Sequence, residues 1–367
     1  MFLFVFLLNI FTVYIPFLLI GYFMPNFIRK TLLFGVAIPE EASNSQEAKQ
    51  LTKEYKRNYL LTTIIIAFAA NILALINNNT DYSMWGILPL IISMMLNYVY
   101  IHKKAKELKR EKGWTANKKQ VVIVDTSHAI NRHLLSLHWF WIPISVLILT
   151  LLFTMIQYPH LPDKIPTHFD LYGNPTTIKE TSFTTVFLLP LTQAFMTAMF
   201  FFISKMIQRA KPSINPATPK TSAIQNKLAK RYWIIYMIVV LIVLNVQFAY
   251  LQLNALTVIK PSMTAYILIQ GITVIIAIFG AIFVAFKTGQ SGSRIKVKET
   301  EEANNNTIDR DDDRFWKLGV IYYNPHDPSL FIEKRFGIGW TINYGRPMAI
   351  IITFALLVVI IGSLVLL

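Results

Sequence analysis

Residues 233–255 read WIIYMIVVLIVLNVQFAYLQLNA, a run without one charged side chain. A bilayer's hydrocarbon core is roughly 30 Å thick and needs about 20 apolar residues at about 1.5 Å of helical rise each, so this run is long enough to span it. Seven more segments come close to the same length with no charge inside: 2–24, 59–77, 84–101, 139–157, 183–204, 263–286 and 347–366. The whole chain has 367 residues, 54% hydrophobic and 15% charged, which is too apolar for a soluble protein of this length. The fold class that follows is an all-α polytopic membrane protein with about eight transmembrane helices and a small cytoplasmic β-containing module.

The weakest span is 84–101, which is short and carries Pro89, but HKKAKELKREK follows at once over 102–112 and serves as a stop signal. Helix is expected to continue through that charged run. Loops 25–58, 102–138, 205–232 and 287–346 together hold 32 of the 35 lysines and arginines, and the alternate loops hold Lys164, Lys179 and Lys260. The basic set is therefore expected inside, with both termini outside, a net charge of +16 within and −1 without. Charge spread over every loop of one side reflects topology and attraction to anionic lipid heads, so no direct nucleic-acid partner is expected. The first span lacks a basic start and a small-residue cleavage site and is expected to be retained.

The chain divides into a seven-span membrane domain, 1–286, a cytoplasmic linker, 287–313, a small cytoplasmic module, 314–346, and a last transmembrane helix, 347–367. In the first basic loop, a charged helix is expected to be capped by Ser43 or Asn44. QVVIVDTSHAI, 120–130, reads as one short strand, and the proline-rich 205–231 as a connector lying against lipid. The linker is polar and lacks aromatics. Its acidic run Asp309, Asp311, Asp312 and Asp313 lacks the glycine turn and distal glutamate of a calcium loop, and reads as solvated charge. The module has turn signals at Asn324-Pro325 and at Gly337 to Gly339, with 319–324 and 329–336 expected as a hairpin pair. At about 33 residues it is too small to stand alone and should rest on the bundle or the membrane. Trp316, Tyr322, Tyr323 and Trp340 are expected as its core, and Asn324, Asp327 and Asn343 are the polar candidates beside them.

The chain has no cysteine, which excludes disulfides, Cys-ligated zinc, cysteine-held iron–sulfur clusters and thiol catalysis. HExxH, GxSxG and P-loop signatures are missing, so neither an enzyme nor a cofactor is expected. The spans hold Asn71, Asn97, Gln193, Asn245, Gln247 and Gln270 but no Asp, Glu, Lys, Arg or His. Ion-coupled transport ordinarily leaves one there, because an intramembrane charge at a cost of about 2.5–3.5 kcal/mol is kept only for function. The amides read as hydrogen bonds between helices, with an amide-lined carrier path as the alternative.

The stretch with site chemistry is YPHLPDKIPTHFDLYGNP, 158–175. Helical metal ligation is excluded, because among His160, Asp163, His168 and Asp170 only the first pair has a helical offset, and Pro162 and Pro166 break a helix. In an extended chain His168 and Asp170 share a face, either to bind a ligand or to brace the loop. Gly173 or Asn174 supplies the turn before Pro175. The candidate ligand-binding set is Pro162, Asp163, Pro166, His168, Phe169, Asp170 and Gly173, in a stiff outer loop that loses little entropy on binding. No metal site is assigned.

LPDKIPTHFDLYGNP, 161–175, set between two spans, resembles the membrane domain of bacterial SdpI-type immunity proteins and their relatives. LLFGVAIPEE, 32–41, and FWKLGVIYYNPHDPSLFIEKRFGIGWTINYGRP, 315–347, are similar to segments that accompany that loop in a Bacillus-type group of multi-span proteins. The resemblance implies a bacterial plasma-membrane protein that protects its producer from a secreted peptide toxin and holds a cytoplasmic regulator. The glycine-arginine-threonine stretch with its downstream tryptophan, carried by the immunity domain, is not found here. The expected partners are the lipid bilayer, an extracellular peptide and a cytoplasmic regulator.

Overall fold

A computed structural model describes residues 2–114, 119–121, 136–170, 174–260, 262–297, 307–309, 312–354 and 357. Its α-helices are α1 (Phe2–Asn9), α2 (Ile15–Phe27), α3 (Gln46–Ile76), α4 (Asp81–Trp85), α5 (Ile87–Lys112), α6 (Trp141–Gln157), α7 (Phe183–Arg209), α8 (Pro219–Ala255) and α9 (Met263–Thr288). Short strands punctuate them: β1 (Leu32–Leu33), β2 (Val36–Ala37), β3 (Lys119–Val121), β4 (Lys164–Phe169), β5 (Pro175–Glu180), β6 (Thr307–Asp309), β7 (Trp316–Lys317), β8 (Ile321–Tyr322), β9 (Phe331–Glu333) and β10 (Trp340–Ile342).

Among the described residues, seven helical segments are long and apolar enough to cross a membrane. The expected eighth begins as helix over 347–354, and most of the rest of it lies outside the described residues. The chain forms two compact units, one made of Met1–Thr126, Arg209–Ala229 and Ala285–Leu367, the other of Ser127–Gln208 and Lys230–Val284.

In the first unit a π-helical turn, Ile10–Tyr14, joins α1 to α2. Pro16 follows it and lacks the N–H that would close the regular ladder one turn back, a common cause of such irregularity. The chain then makes the β1–β2 hairpin, whose turn residues Phe34 and Gly35 have φ of 46° and 83°. A Cβ at Gly35 would lie 2.6 Å from the Tyr98 hydroxyl and 2.9 Å from the Gly319 carbonyl, so only glycine fits. The helix after this hairpin is capped by Ser45, whose hydroxyl accepts from the Ala48 N–H at 3.2 Å. This corrects the expectation of Ser43 or Asn44: Ser43 instead bonds the Glu40 carbonyl within a short 3-10 turn. The charged run 102–112 does continue α5, which stops at Gly113 in the left-handed conformation.

The expected linker and module are more tightly bound than their composition suggests. Phe336 packs 4.2 Å from the Tyr98 ring and 5.7 Å from that of Phe34, in a core with Tyr55 and Ile101, so the module rests on the ends of α3 and α5 as expected. The hairpin expectation is corrected: β8 pairs back onto β7 through a turn at Leu318 and Gly319, and β9 pairs forward onto β10. A parallel bridge, Tyr322 to Asn343, links the two hairpins. The connector 205–231 is also corrected, since the Lys211 N–H bonds the Phe331 carbonyl at 3.0 Å and α8 begins at Pro219. β3 pairs in parallel with β6, and the remainder of the strand expected over 120–130 lies outside the described residues.

The second unit is held by amides, as the sequence reading expected. Asn245 Nδ2, on α8, donates to the Pro143 carbonyl of α6 at 2.9 Å, and Gln193 Nε2, on α7, donates to the Asn245 carbonyl at 3.2 Å. Gln247 donates to Gln270 at 2.8 Å, joining α8 to α9. Gln252 donates to the Thr154 hydroxyl and the Val186 carbonyl. In the first unit, Asn97 likewise bonds the Tyr55 carbonyl across helices, whereas Asn71 turns back to Ala67 of its own helix and accepts from Ser83. Such bonds orient helices where lipid supplies no alternative partner.

Candidate functional site: a proline-stiffened hairpin and an arginine-centred module

Between α6 and α7 the chain forms the antiparallel β4–β5 hairpin, pairing Lys164 with Glu180, Ile165 with Lys179 and Pro166 with Ile178. The hairpin is anchored by Ile165, which is 1% exposed and packs against Val186, Phe187 and Leu256. Pro162 and Pro166 fix φ near −65° along the first strand and forfeit their N–H groups, which favours an edge strand over helix or a central strand. The register slips between Pro166 and His168 and again between His168 and Phe169. The expected placement of the His168 and Asp170 side chains on one face lies outside the described residues.

Asp170 braces the turn. Its carboxylate accepts from the Asn174 N–H at 2.8 Å and from the Asn174 side-chain amide at 3.0 Å, while the Asp170 N–H bonds the Asn174 carbonyl. Gly173 lies outside the described residues. At the opposite end, the Thr181 hydroxyl donates to the Pro162 carbonyl at 2.5 Å and the Thr181 N–H donates to Asp163 at 2.8 Å. An open depression of about 410 Å³ lies there, lined by Tyr158, Leu161, Pro162, Asp163, Lys164, Glu180 and Thr181. Of the candidates, then, Pro162 and Asp163 meet at the base of the hairpin and Asp170 stands at its tip. Lys164, Glu180 and Thr181 were not singled out by sequence; only the pairing register brings them together.

The module is organised by two buried side chains. The Arg335 guanidinium forms ion pairs with Asp312 and Asp313, donates to the Gly35 carbonyl at 2.9 Å, and lies 5.3 Å over the Trp316 ring. Asp313 also accepts from Lys109 at 2.6 Å and from the Ala37 N–H at 3.1 Å. The reading of this acidic run as solvated charge is therefore corrected for Asp312 and Asp313; Asp309 lies in β6 and Asp311 outside the described residues. Burial alone would raise the Asp313 carboxyl, but the charge of Arg335 and the bond from Lys109 outweigh it and hold it below its ordinary range.

Asn343 is fully buried, accepting from the N–H groups of Asn324 and Gly345 at 3.0 Å each and donating to the carbonyls of Asn324, Asp327 and Ser329. Asp327 pairs with Lys211 at 2.9 Å and accepts from the Tyr322 hydroxyl at 3.1 Å. Burial, with Asp327 alongside, pushes the Tyr322 phenol up to about 12. Trp316 and Tyr322 are core as expected, Trp340 is half-buried, and Tyr323 is exposed, which corrects its assignment. These polar candidates are consumed in holding the module together.

Two segments match family models. Residues 146–194, the hairpin with parts of both flanking helices, match a domain of unknown function, DUF1648, and residues 325–350 match a family of unknown function, DUF5808. The protein is an integral, multi-pass membrane protein. No curated protein and no solved structure matches the chain. The matched segments coincide with the hairpin and with the half of the module that carries Asp327, Arg335 and Asn343.

Proposed function

We propose that the protein lies in a bacterial plasma membrane with the β4–β5 hairpin and both termini outside, and that it recognises an extracellular peptide without catalysing a reaction. Recognition either neutralises the peptide, as the resemblance to SdpI-type immunity proteins implies, or reports its presence to a cytoplasmic regulator through the module. The observation that carries this reading is the hairpin: two strands stiffened by proline, closed at both ends by side-chain bonds, with an open depression edged by Asp163, Lys164 and Glu180. Such a surface loses little entropy when a ligand settles on it. Engagement of the amide donors between helices also favours recognition over a carrier path.

Deleting the gene should raise sensitivity to membrane-active peptides, and wild-type protein should restore resistance. A chain carrying Asp163→Asn, Lys164→Gln and Glu180→Gln should reach the membrane in normal amount yet restore roughly tenfold less resistance, the consequence of losing about 1.4 kcal/mol of binding. Full restoration by that variant would remove the hairpin from the function.

A further inference from the structure

Several cations around the module have a carboxylate: Lys109 has Asp313, Lys211 has Asp327, Arg335 has Asp312 and Asp313, and Lys104 has Glu54. Arg29, Lys56 and Arg294 differ, forming no ion pair among the described residues. Arg29 follows the end of α2, Arg294 follows the end of α9, and Lys56 of α3 reaches rings of α2. Phe286 packs edge-on against Phe27 at 4.7 Å and Phe23 at 5.7 Å. The Arg294 guanidinium lies 5.7 Å over the Phe286 ring and 5.8 Å over that of Phe27. The Lys56 ammonium lies 5.0 Å over Tyr22 and 6.0 Å over Phe23. Gln290, 1% exposed, fixes the neighbouring backbone, accepting from the Arg29 N–H at 3.0 Å and donating to the Lys334 carbonyl.

Arg29 Nε is buried and has no hydrogen-bond partner. The Nη groups of Arg29 are not closed off in this way and make no bond among the described residues, so they stay open to an acceptor from outside the chain. Aromatic rings at the ends of spans mark the interfacial level, where lipid phosphates lie. Lys56 and Arg294 over their rings, with Arg29 nearby in sequence, offer donors for phosphate oxygens, and the rings an apolar wall for the chain below them.

We propose that Arg29, Lys56 and Arg294 form a binding site for the phosphate of an anionic membrane phospholipid, with Tyr22, Phe23 and Phe286 against its glycerol and upper acyl chain. The site fixes one lipid at the junction of α2, α9 and the turn at Gln290, and so ties the module's base to the bilayer. It stands independently of the peptide reading of the hairpin.

The test uses the full chain in detergent, with native mass spectrometry counting adducts of phosphatidylglycerol and of phosphatidylcholine, and with inorganic phosphate as a competitor. The Arg29→Gln/Arg294→Gln variant should hold phosphatidylglycerol about thirtyfold less tightly, roughly what loss of two interfacial cations removes. A Lys30→Gln/Arg110→Gln variant, altered by the same net charge at exposed positions, should match wild type. Phosphatidylcholine should bind weakly throughout, and millimolar inorganic phosphate should not displace the lipid. If the double arginine variant fails to fold, Lys56→Gln should still show a several-fold loss. Equal losses in the Lys30/Arg110 control, equal retention of the two lipids, complete displacement by inorganic phosphate, or a Lys56→Gln chain indistinguishable from wild type would each overturn the proposal.

Discussion

Replacing Arg335 with methionine will loosen the module and leave the spans folded. The guanidinium is the shared partner of Asp312 and Asp313 and of the Gly35 carbonyl, and its side chain is 7% exposed. Removing one partner of a buried ion pair leaves uncompensated charge and typically costs about 3–5 kcal/mol. Hydrogen exchange of amides in β9 and β10 should accelerate by about a hundredfold or more, since each 1.36 kcal/mol is about tenfold. A triple variant that also carries Asp312→Asn and Asp313→Asn should recover part of that loss, because no buried carboxylate is then stranded. Lysine at 335 should rescue poorly: it keeps the charge but not the planar fork. The same contact carries a pH dependence. Because the folded Asp313 carboxyl is held below its ordinary value of 3.8, its stabilising contribution is complete above that pH and lost as the pH falls through the lower folded value. Exchange in β9 should therefore accelerate in acid in the wild type and show much less acid dependence in the triple variant.

Replacing Asn343 with alanine is expected to have the second-largest effect. Two backbone N–H groups and three carbonyls converge on this one amide, and the Asn343 side chain is itself fully buried. Each buried group left without a partner costs about 1–3 kcal/mol, and the losses overlap, so a total of about 3 kcal/mol is expected. Asn343→Asp should be at least as damaging although it has the same shape, because a carboxylate would face three carbonyls it cannot donate to. Limited proteolysis within 324–330 reads this directly: both variants should be cut there much faster than wild type. An Asn343→Asp chain as resistant as wild type would show that shape alone matters at this position.

The spans were legible because crossing lipid demands a local property, about 20 apolar residues with no charge, and 233–255 declares it without reference to any partner. The stiffness of 158–175 was legible for the same reason, since proline restricts its own backbone. Pairing across distance was not. Nothing near Asp313 announces Arg335, so an acidic run that composition marks as solvated holds a buried arginine instead. Nothing near Gly35 announces that Tyr98 and Gly319 close on it from two other elements. In the hairpin, the pairing register placed Glu180 opposite Lys164 at the rim of the depression.

The account rests on the hairpin and the basic loops lying on opposite sides of one membrane. Within the first unit the basic segments already pack on one another, Arg29 to Gln290, Lys109 to Asp313 and Asn226 to Glu333, which requires a shared side. A chain with no native cysteine allows a clean measurement: Thr177→Cys and Lys296→Cys, each alone, treated in intact cells with a membrane-impermeant maleimide. Thr177→Cys should label at once and Lys296→Cys only after the cells are permeabilised; labelling of Lys296→Cys in intact cells, with Thr177→Cys protected, would contradict the account.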